Sequence, residues 1–273
     1  MCLPIVWLKC LTTVNSSTFL MIHSFSYAAK SDKGLVRRNN QDAFHVSLEH
    51  GVVVVADGMG GHQAGEIASQ LAIEAVKSDL EQQHWEAVGD EMQTLLKLGS
   101  AVEKANRLIR SASSGRPELQ GMGTTIVAGL FRLGRLFLAH VGDSRIYRLR
   151  DKKLQQITTD HSLVQQLLDA GTFRTEQEAA EAGIGSNVLT RALGIEDQVE
   201  VDVSDEMLQP GDQFLFCSDG LTNMLPDNDI ERLINHYYPD LEAAVERLIV
   251  GALSSGGLDN ITVVLAQPEI EEK

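Results

Sequence analysis

The chain has 273 residues, 43% hydrophobic and 22% charged, an ordinary balance for a globular protein with room for a large core. Its formal net charge of −15 argues against nucleic acid or an anionic membrane as a partner. The three cysteines, Cys2, Cys10 and Cys217, form no C-x-x-C and no zinc-binding spacing, so a reducing, cytoplasmic compartment is the simplest reading.

Residues 1–20 read as an extension outside the core. Leu3 to Leu8 is apolar, but Lys9 interrupts it, no basic stretch precedes it, and no run of membrane-spanning length follows. Either Met21 is the true start and this stretch lies upstream of it, or the stretch is a weak signal or anchor. Over 21–268, helix pairs alternate with strand runs without a linker or a long repeat, which predicts one α+β domain. Residues 269–273, rich in glutamate, read as a disordered acidic tail.

Within the domain a strand is expected over 24–29, then a turn at Ser31-Asp32-Lys33-Gly34. The polar run Arg37-Arg38-Asn39-Asn40-Gln41-Asp42 follows, and then a strand over 43–46. Val52-Val53-Val54-Val55-Ala56 reads as a buried strand that ends on Asp57 and breaks into Gly58-Met59-Gly60-Gly61. Helical spacing predicts a helix over 64–80, with Ile67, Leu71, Ala75 and Val76 on one face, and a second from about 91 to 112. Four short strands over 124–131, 136–141, 145–149 and 154–157 read as one antiparallel meander. Thr159-Asp160-His161-Ser162 opens a helix with Leu163, Leu167 and Leu168 on its apolar face, and Thr175 to Glu178 reads as a capping box for another. The polar region 161–187 is expected to be a mobile flap. Strands are expected over 198–203 and 213–217, helices after Pro226 and after Asp240, and a closing buried strand over 261–265.

Asp57 by itself has three readings: a turn residue, part of a dinucleotide loop, or a metal-binding carboxylate. Gly58-Met59-Gly60-Gly61-His62-Gln63 fails the dinucleotide fingerprint at its last position, and Asp57 would aim negative charge at a pyrophosphate. The pattern also recurs. Asp42, Asp143, Asp219 and Asp259 sit likewise at the edges of apolar strands, Asp143 and Asp219 beside glycine as Asp57 is. If those strand ends converge, like charges raise one another's pKa or push the site apart unless cations neutralise them. Ligands that are all oxygen select hard ions, Mg²⁺ or Mn²⁺. Two such ions roughly 4 Å apart can activate a shared water for in-line displacement at phosphorus. Arg37 and Arg38 then read as groups that grip phosphate oxygens, with a surface ion pair as the plainer alternative.

Seven segments now carry a resemblance. They are Gly34-x-x-Arg37-x-x-Asn40-Gln41-Asp42, Ala56 to His62, Gly121-Met122-Gly123-Thr124-Thr125, His140 to Arg145, Thr159 to Ser162, Cys217 to Leu221, and Asp259-Asn260-Ile261-Thr262-Val263. In this order they resemble the metal-dependent protein phosphatases of the protein phosphatase 2C family, the compact bacterial members above all. The resemblance implies a four-layer α-β-β-α sandwich, with two packed antiparallel sheets flanked by helix pairs. It implies hydrolysis of phosphoserine and phosphothreonine in proteins by a water bridging two Mn²⁺ or Mg²⁺ ions.

Carried over by position, Asp57 would bridge the ions, with the Gly58 carbonyl as a further ligand and Asp219 and Asp259 completing the first ion. Asp42 would support the cluster. Asp143 with Asp219 matches a third-ion position, Arg37 would bind phosphate, and Asn40, Gln41 and Asn260 would support the ligands from behind. Two departures stand out. Met59 occupies the place where many eukaryotic members carry a histidine often invoked as the general acid, which leaves His62 or a metal-bound water for that role. Gln41 stands where glutamate is common. The implied partners are phosphorylated proteins, among them a Ser/Thr kinase and its targets, acting on a monomer. Two alternatives are a catalytically silent binding module, which would have lost a central aspartate or Arg37, and a hydrolase of small phosphoesters.

Overall fold

A run such as Val52 to Ala56, apolar at every position, calls for a strand covered on both faces. In the computed structural model that strand is β3 (Val52–Met59). The structure describes residues 22–61, 64–83, 85, 90–185 and 188–270; the extension 1–20 and His62 lie outside them. Strands β1 (Ile22–Asp32), β7 (Arg145–Arg150), β8 (Lys153–Gln156), β10 (Gln213–Cys217) and β11 (Ile261–Ile270) form one antiparallel sheet in the order β1-β11-β10-β7-β8. The second sheet runs β2 (Asp42–Ser47), β3, β5 (Ile126–Arg132), β6 (Arg135–Val141), β9 (Asp202–Met207), with the two-residue β4 (Gly123–Thr124) paired to the end of β3.

Alternation along the strands sorts the apolar residues into three layers. Val52, Val54 and Ala56 pack with α1 (Ala64–Glu81) and α2 (Glu91–Ser113) through Ala68, Ala72, Val76, Leu98, Val102 and Ile109. Val53 and Val55 face the other sheet, among Phe25, Val127, Phe131, Phe214, Phe216 and Val264. Leu215, Cys217, Val263 and Leu265 meet α6 (Asp227–Tyr237) and α7 (Leu241–Ser254) through Ile230, Ile234, Val245, Leu248 and Ile249. The result is the expected α+β fold, an α-β-β-α sandwich with the inter-sheet layer at its centre. No helix among the described residues is long and apolar enough to cross a membrane.

The structure departs from the sequence reading in several places. The expected meander is divided: β5 pairs with β6 in one sheet, whereas β7 pairs with β8 and β10 in the other. The chain crosses between sheets at Gly142, whose φ of 108° suits glycine alone. The strand expected over 198–203 lies at 202–207, because its pairing with β6 runs from His140↔Asp202 to Arg135↔Met207. Strand β1 is longer than expected, and β11 continues to Ile270 by pairing with it, so Glu269 and Ile270 belong to a sheet and not to a disordered tail. On α1 the buried face holds Ala64, Ala68, Ala72 and the expected Ala75 and Val76, with Ile73 and Leu80, while Ile67 and Leu71 are only partly covered. The alanines let the helix approach the sheet closely. In α3 (Leu163–Asp169) the buried residue is Val164, while Leu163, Leu167 and Leu168 are half-buried.

The caps agree with the sequence. Thr175 accepts from Glu178 N at the start of α4 (Glu176–Glu181), and Asp240 accepts from Ala243 N at the start of α7.

The two sheets are held face to face by aromatic side chains, with the rings of Phe131 and Phe214 5.8 Å apart, edge to face. Phe214→Ala is expected to cost about 3–5 kcal/mol. A denaturant midpoint within error of the wild-type value would show that the inter-sheet layer repacks around the loss.

Candidate metal centre

The inter-sheet layer ends in acid. Asp57 continues the Val53, Val55 face of β3, and Asp42 lies directly opposite it on β2. Asp42 Oδ2 accepts from Ser218 Oγ and from Thr262 Oγ1, each at 2.7 Å. Those hydroxyls stand where β10 ends and β11 begins in the other sheet, and Ser218 Oγ also accepts from Thr262 N at 3.0 Å. One carboxylate therefore clasps the two sheets at one end. Asp219 follows Ser218 at the first turn of α5 (Asp219–Thr222), and Asp259 precedes β11. Four of the five sequence-predicted aspartates thus arrive from the ends of β2, β3, β10 and β11.

The backbone around Asp57 is fixed from both sides. Asp57 N donates to Thr125 Oγ1 at 3.0 Å, and Thr124 Oγ1 and Thr125 N donate to the Asp57 carbonyl at 2.8 and 2.9 Å. Gly58 passes so close to the start of α1 that a Cβ there would lie 2.1 Å from Gly65 O and 2.6 Å from Gln41 O, which no other residue could tolerate.

The Arg37 loop is held by Asn260. Its Nδ2 donates to Lys33 O and Asn39 O, both at 2.9 Å, and its Oδ1 accepts from Gln41 N at 2.8 Å. Asn40 reaches back to Ser31 Oγ at 2.7 Å, and the Gln41 carbonyl accepts from Gly58 N and Ser69 Oγ. All three supporting residues expected from sequence therefore act on the loop that presents Arg37. Arg37 Nη2 donates to Asp259 Oδ2 at 2.6 Å and remains half exposed, at 52%.

Asp143 comes to the same end by the sheet crossing. It is buried, and with Asp219 it lines a cavity of about 130 Å³ closed by Gln165 of α3 and Glu176 and Ala180 of α4. Its neighbour Ser144 hydrogen-bonds Thr125 Oγ1 at 2.7 Å, tying this loop to the backbone of Asp57.

Crowding shows in the electrostatics. Removal from water raises the Asp57 carboxyl well above the usual carboxylate range, and Asp42, Asp219, Asp143 and Asp259 add to it by repulsion. Burial likewise lifts Asp42 to about 6, although the bonds from Thr262 and Ser218 pull the other way. Asp143 is pushed up to about 7 by burial, then by Asp219 and Asp160. Asp219 is raised by burial and by Asp259. Asp42 Oδ1 and Asp219 Oδ1 are buried with no hydrogen-bond partner. Orphaned carboxylate oxygens among like charges are what a site for hard divalent cations presents before the ions bind, so the residues fit Mg²⁺ or Mn²⁺.

Comparison with known proteins agrees. Residues 36–252 match the family model described as protein phosphatase 2C. The chain belongs to the protein phosphatase 2C family. Among curated relatives, the serine/threonine phosphatase stp of Listeria monocytogenes serotype 4b is 38% identical over 247 residues, covering 89% of this chain and 96% of that one. The crystal structure of the Mycobacterium tuberculosis serine/threonine phosphatase PstP/Ppp superposes with a TM-score of 0.81 at 42% identity, covering 90% and 99% of the two chains. The PstP catalytic domain in complex with two manganese ions gives 0.78 at 40% identity, covering 90% and 98%.

Ser218, Thr262, Thr125 and Ser144 are the parts of this phosphatase 2C centre that sequence reasoning passed over as motif filler. Strand parity was the available signal: Ser218 continues the Phe214, Phe216 face, and Thr262 lies on the Val264, Ala266 face. His62, one of the two candidates for the general acid, lies outside the described residues.

A second group, His140, His161 and Asp202, also brings ligand-type atoms within 4.8 Å of one another. Here the chemistry disfavours a metal. His161 Nδ1 accepts from Gly142 N at 3.2 Å, so the neutral ring carries its proton on Nε2, toward Asp202. Arg191 Nη1 already pairs with Asp202 Oδ1 at 2.8 Å. Burial keeps both imidazoles below their ordinary pKa, and the rings stack 4.6 Å apart.

The Asp42 shift has a measurable sign. Without metal, its carboxyl titrates at about 6 in the fold against an ordinary 3.8, so folding favours the protonated form. The stability of wild type relative to Asp42→Asn, measured by urea unfolding in chelator, should be greatest below about pH 4 and shrink as pH rises through about 6. A difference that is flat, or that grows over this range, contradicts the assignment.

Proposed function

We propose that this chain hydrolyses phosphoserine and phosphothreonine in proteins, with Asp57, the Gly58 carbonyl, Asp219 and Asp259 holding two Mn²⁺ or Mg²⁺ ions. The observation that carries the reading is the convergence of five aspartates, two of them with buried unpartnered oxygens, beside the half-exposed Arg37. The two manganese ions of the related PstP structure support the metal count. Asp42 supports the cluster while clasping the sheets, and Asp143 with Asp219 offers a third position. The ions supply Lewis acidity for phosphoryl oxygens and lower the pKa of water to yield the nucleophile.

The chain's own groups do the rest. Arg37 releases one edge of its fork from Asp259 and takes two phosphate oxygens, which orients the ester for in-line attack. The Asn260 clamp holds the backbone on either side of Arg37 in place. Met59 has no proton to give, and His62, three residues further along the turn, is the proposed donor to the leaving alkoxide. The segment 161–187 tunes access by moving over the Asp143 cavity. Acting as a cytoplasmic monomer, the protein would oppose a bacterial Ser/Thr kinase on that kinase and its targets. The buried free thiol of Cys217 suits a reducing compartment.

Phosphate release from a phosphothreonine peptide should vanish in chelator and fall by about a hundredfold or more in Asp57→Asn. Full turnover in either case sinks the mechanism. Arg37→Ala should act mainly on KM, raising it about tenfold; an unchanged catalytic efficiency would remove Arg37 from the phosphate.

A further inference from the structure

The turn after Asp57 separates two grooves. One, of about 750 Å³, is lined by Arg37, Arg38, Gly60 and Leu119 among others. The other, of about 850 Å³, runs from Met59 along the chain segment 188–200. Its walls include Met59, Val188, Leu189, Ile195 and Val199. Val188 and Ile195 are large apolar side chains left 45% and 46% exposed. They share the groove with Met59, the residue that stands where many eukaryotic members of the family carry a histidine.

The position of this apolar surface is built into the sheet. Met59 pairs with Gly123 across β3 and β4. A Cβ on Gly123 would lie 2.6 Å from Met59 Cε, 2.8 Å from Leu193 O and 3.0 Å from Ile195 Cδ1. The two side chains therefore close over a bare glycine, and the strand pair fixes where they sit. Asp57 and Met59 are two residues apart on one strand, so they share a face and stand about 7 Å from each other. A peptide whose phosphate reaches Asp57 carries its neighbouring side chains past Met59 within one or two residues.

Charge narrows the occupant. Glu196 and Glu200 stand on the rim, and Arg191, the cation among the lining residues, is already paired with Glu200 at 3.0 Å and Asp202 at 2.8 Å. An acidic flanking residue would meet the Glu196 carboxylate with no unpaired cation among the lining residues to receive it, whereas an apolar one would cover Met59 and Ile195.

We propose that the groove bounded by Met59, Val188 and Ile195 is a subsite for an apolar side chain one or two residues from the phosphorylated serine or threonine of the substrate. The proposal rests on the phosphatase reading and adds a sequence preference to it.

The test uses phosphothreonine peptides of one length carrying Leu or Asp at each of the two positions on either side of the phosphoresidue. They are assayed with Mn²⁺ against the full chain, Val188→Asp, Ile195→Asp and Ile195→Ala, with p-nitrophenyl phosphate turned over in parallel. For the wild type, Leu should exceed Asp by about tenfold in kcat/KM at one or more positions. Both Asp variants should lose that preference through KM while p-nitrophenyl phosphate turnover stays within about twofold, and Ile195→Ala should fall in between. A wild type without preference, or variants that keep it, overturns the subsite. Loss of p-nitrophenyl phosphate turnover in both Asp variants also overturns it, because the groove would then serve the catalytic fold itself. No turnover of either substrate by the wild type is a different failure, that of the phosphatase reading.

Discussion

One carboxylate ties the two sheets together at the end where the acids gather. Asp42 reaches from β2 to hydroxyls at the end of β10 and the start of β11, and the centre exists because those strand ends stay in register. The neighbouring acids oppose this arrangement, since Asp42, Asp219, Asp143 and Asp259 raise the pKa of Asp57, and Asp219 raises that of Asp143. What resists them is the packed layer of Phe25, Phe131, Phe214 and Phe216 immediately behind, together with the Ser218 and Thr262 hydroxyls. A site for divalent cations is assembled here by making the fold tolerate charge repulsion that Arg37 and the two hydroxyls relieve in part and bound ions would relieve further.

The remaining parts hang on that clasp through short polar links. Asn260, next to Asp259, spends both edges of its amide on the loop from Lys33 to Gln41 and so sets where Arg37 stands. Thr125 reads the backbone of Asp57 on one side and Ser144 on the other, which couples the bridging position to the Asp143 loop. Gly142 then connects that loop to His161, whose backbone N donates to the Gly142 carbonyl at 2.9 Å and whose ring accepts from its N–H. His161 also directly precedes α3. The histidine pair is thus a buried brace between the aspartate cluster and the start of that helix.

The same turn that carries Asp57 also divides the surface. Arg37 and Arg38 open onto one groove, and Met59, Val188 and Ile195 onto the other. A cationic and an apolar approach meeting at one carboxylate cluster suits an extended chain bearing a phosphate better than a small ester, since a small ester would leave both grooves empty.

Much of this was legible in the chain. Unbroken apolar runs announced strands covered on both faces, an acid followed by glycine at Asp57 and Asp219 marked where two of them end, and helical spacing with Thr175 and Asp240 as caps placed the helices. Those features are local, set by side-chain periodicity and by the conformational limits of single residues. The ordered motifs were specific enough to point to the family before any fold was seen. Other features depended on contacts between residues far apart in sequence. Local pattern does not say that β6 and β7 part company into different sheets, because two adjacent short strands look alike whether they pair with each other or not. It does not set the register of β9 against β6, nor the extension of β11 to Ile270 along β1. It also leaves Ser218 and Thr262 as ordinary polar residues. Only when β10 and β11 lie side by side, facing β2, do two hydroxyls separated by more than forty residues close on one carboxylate. Sequence determined which residues could form the centre; the pairing of the sheets decided which of them meet, because that depends on partners the local chain does not contain.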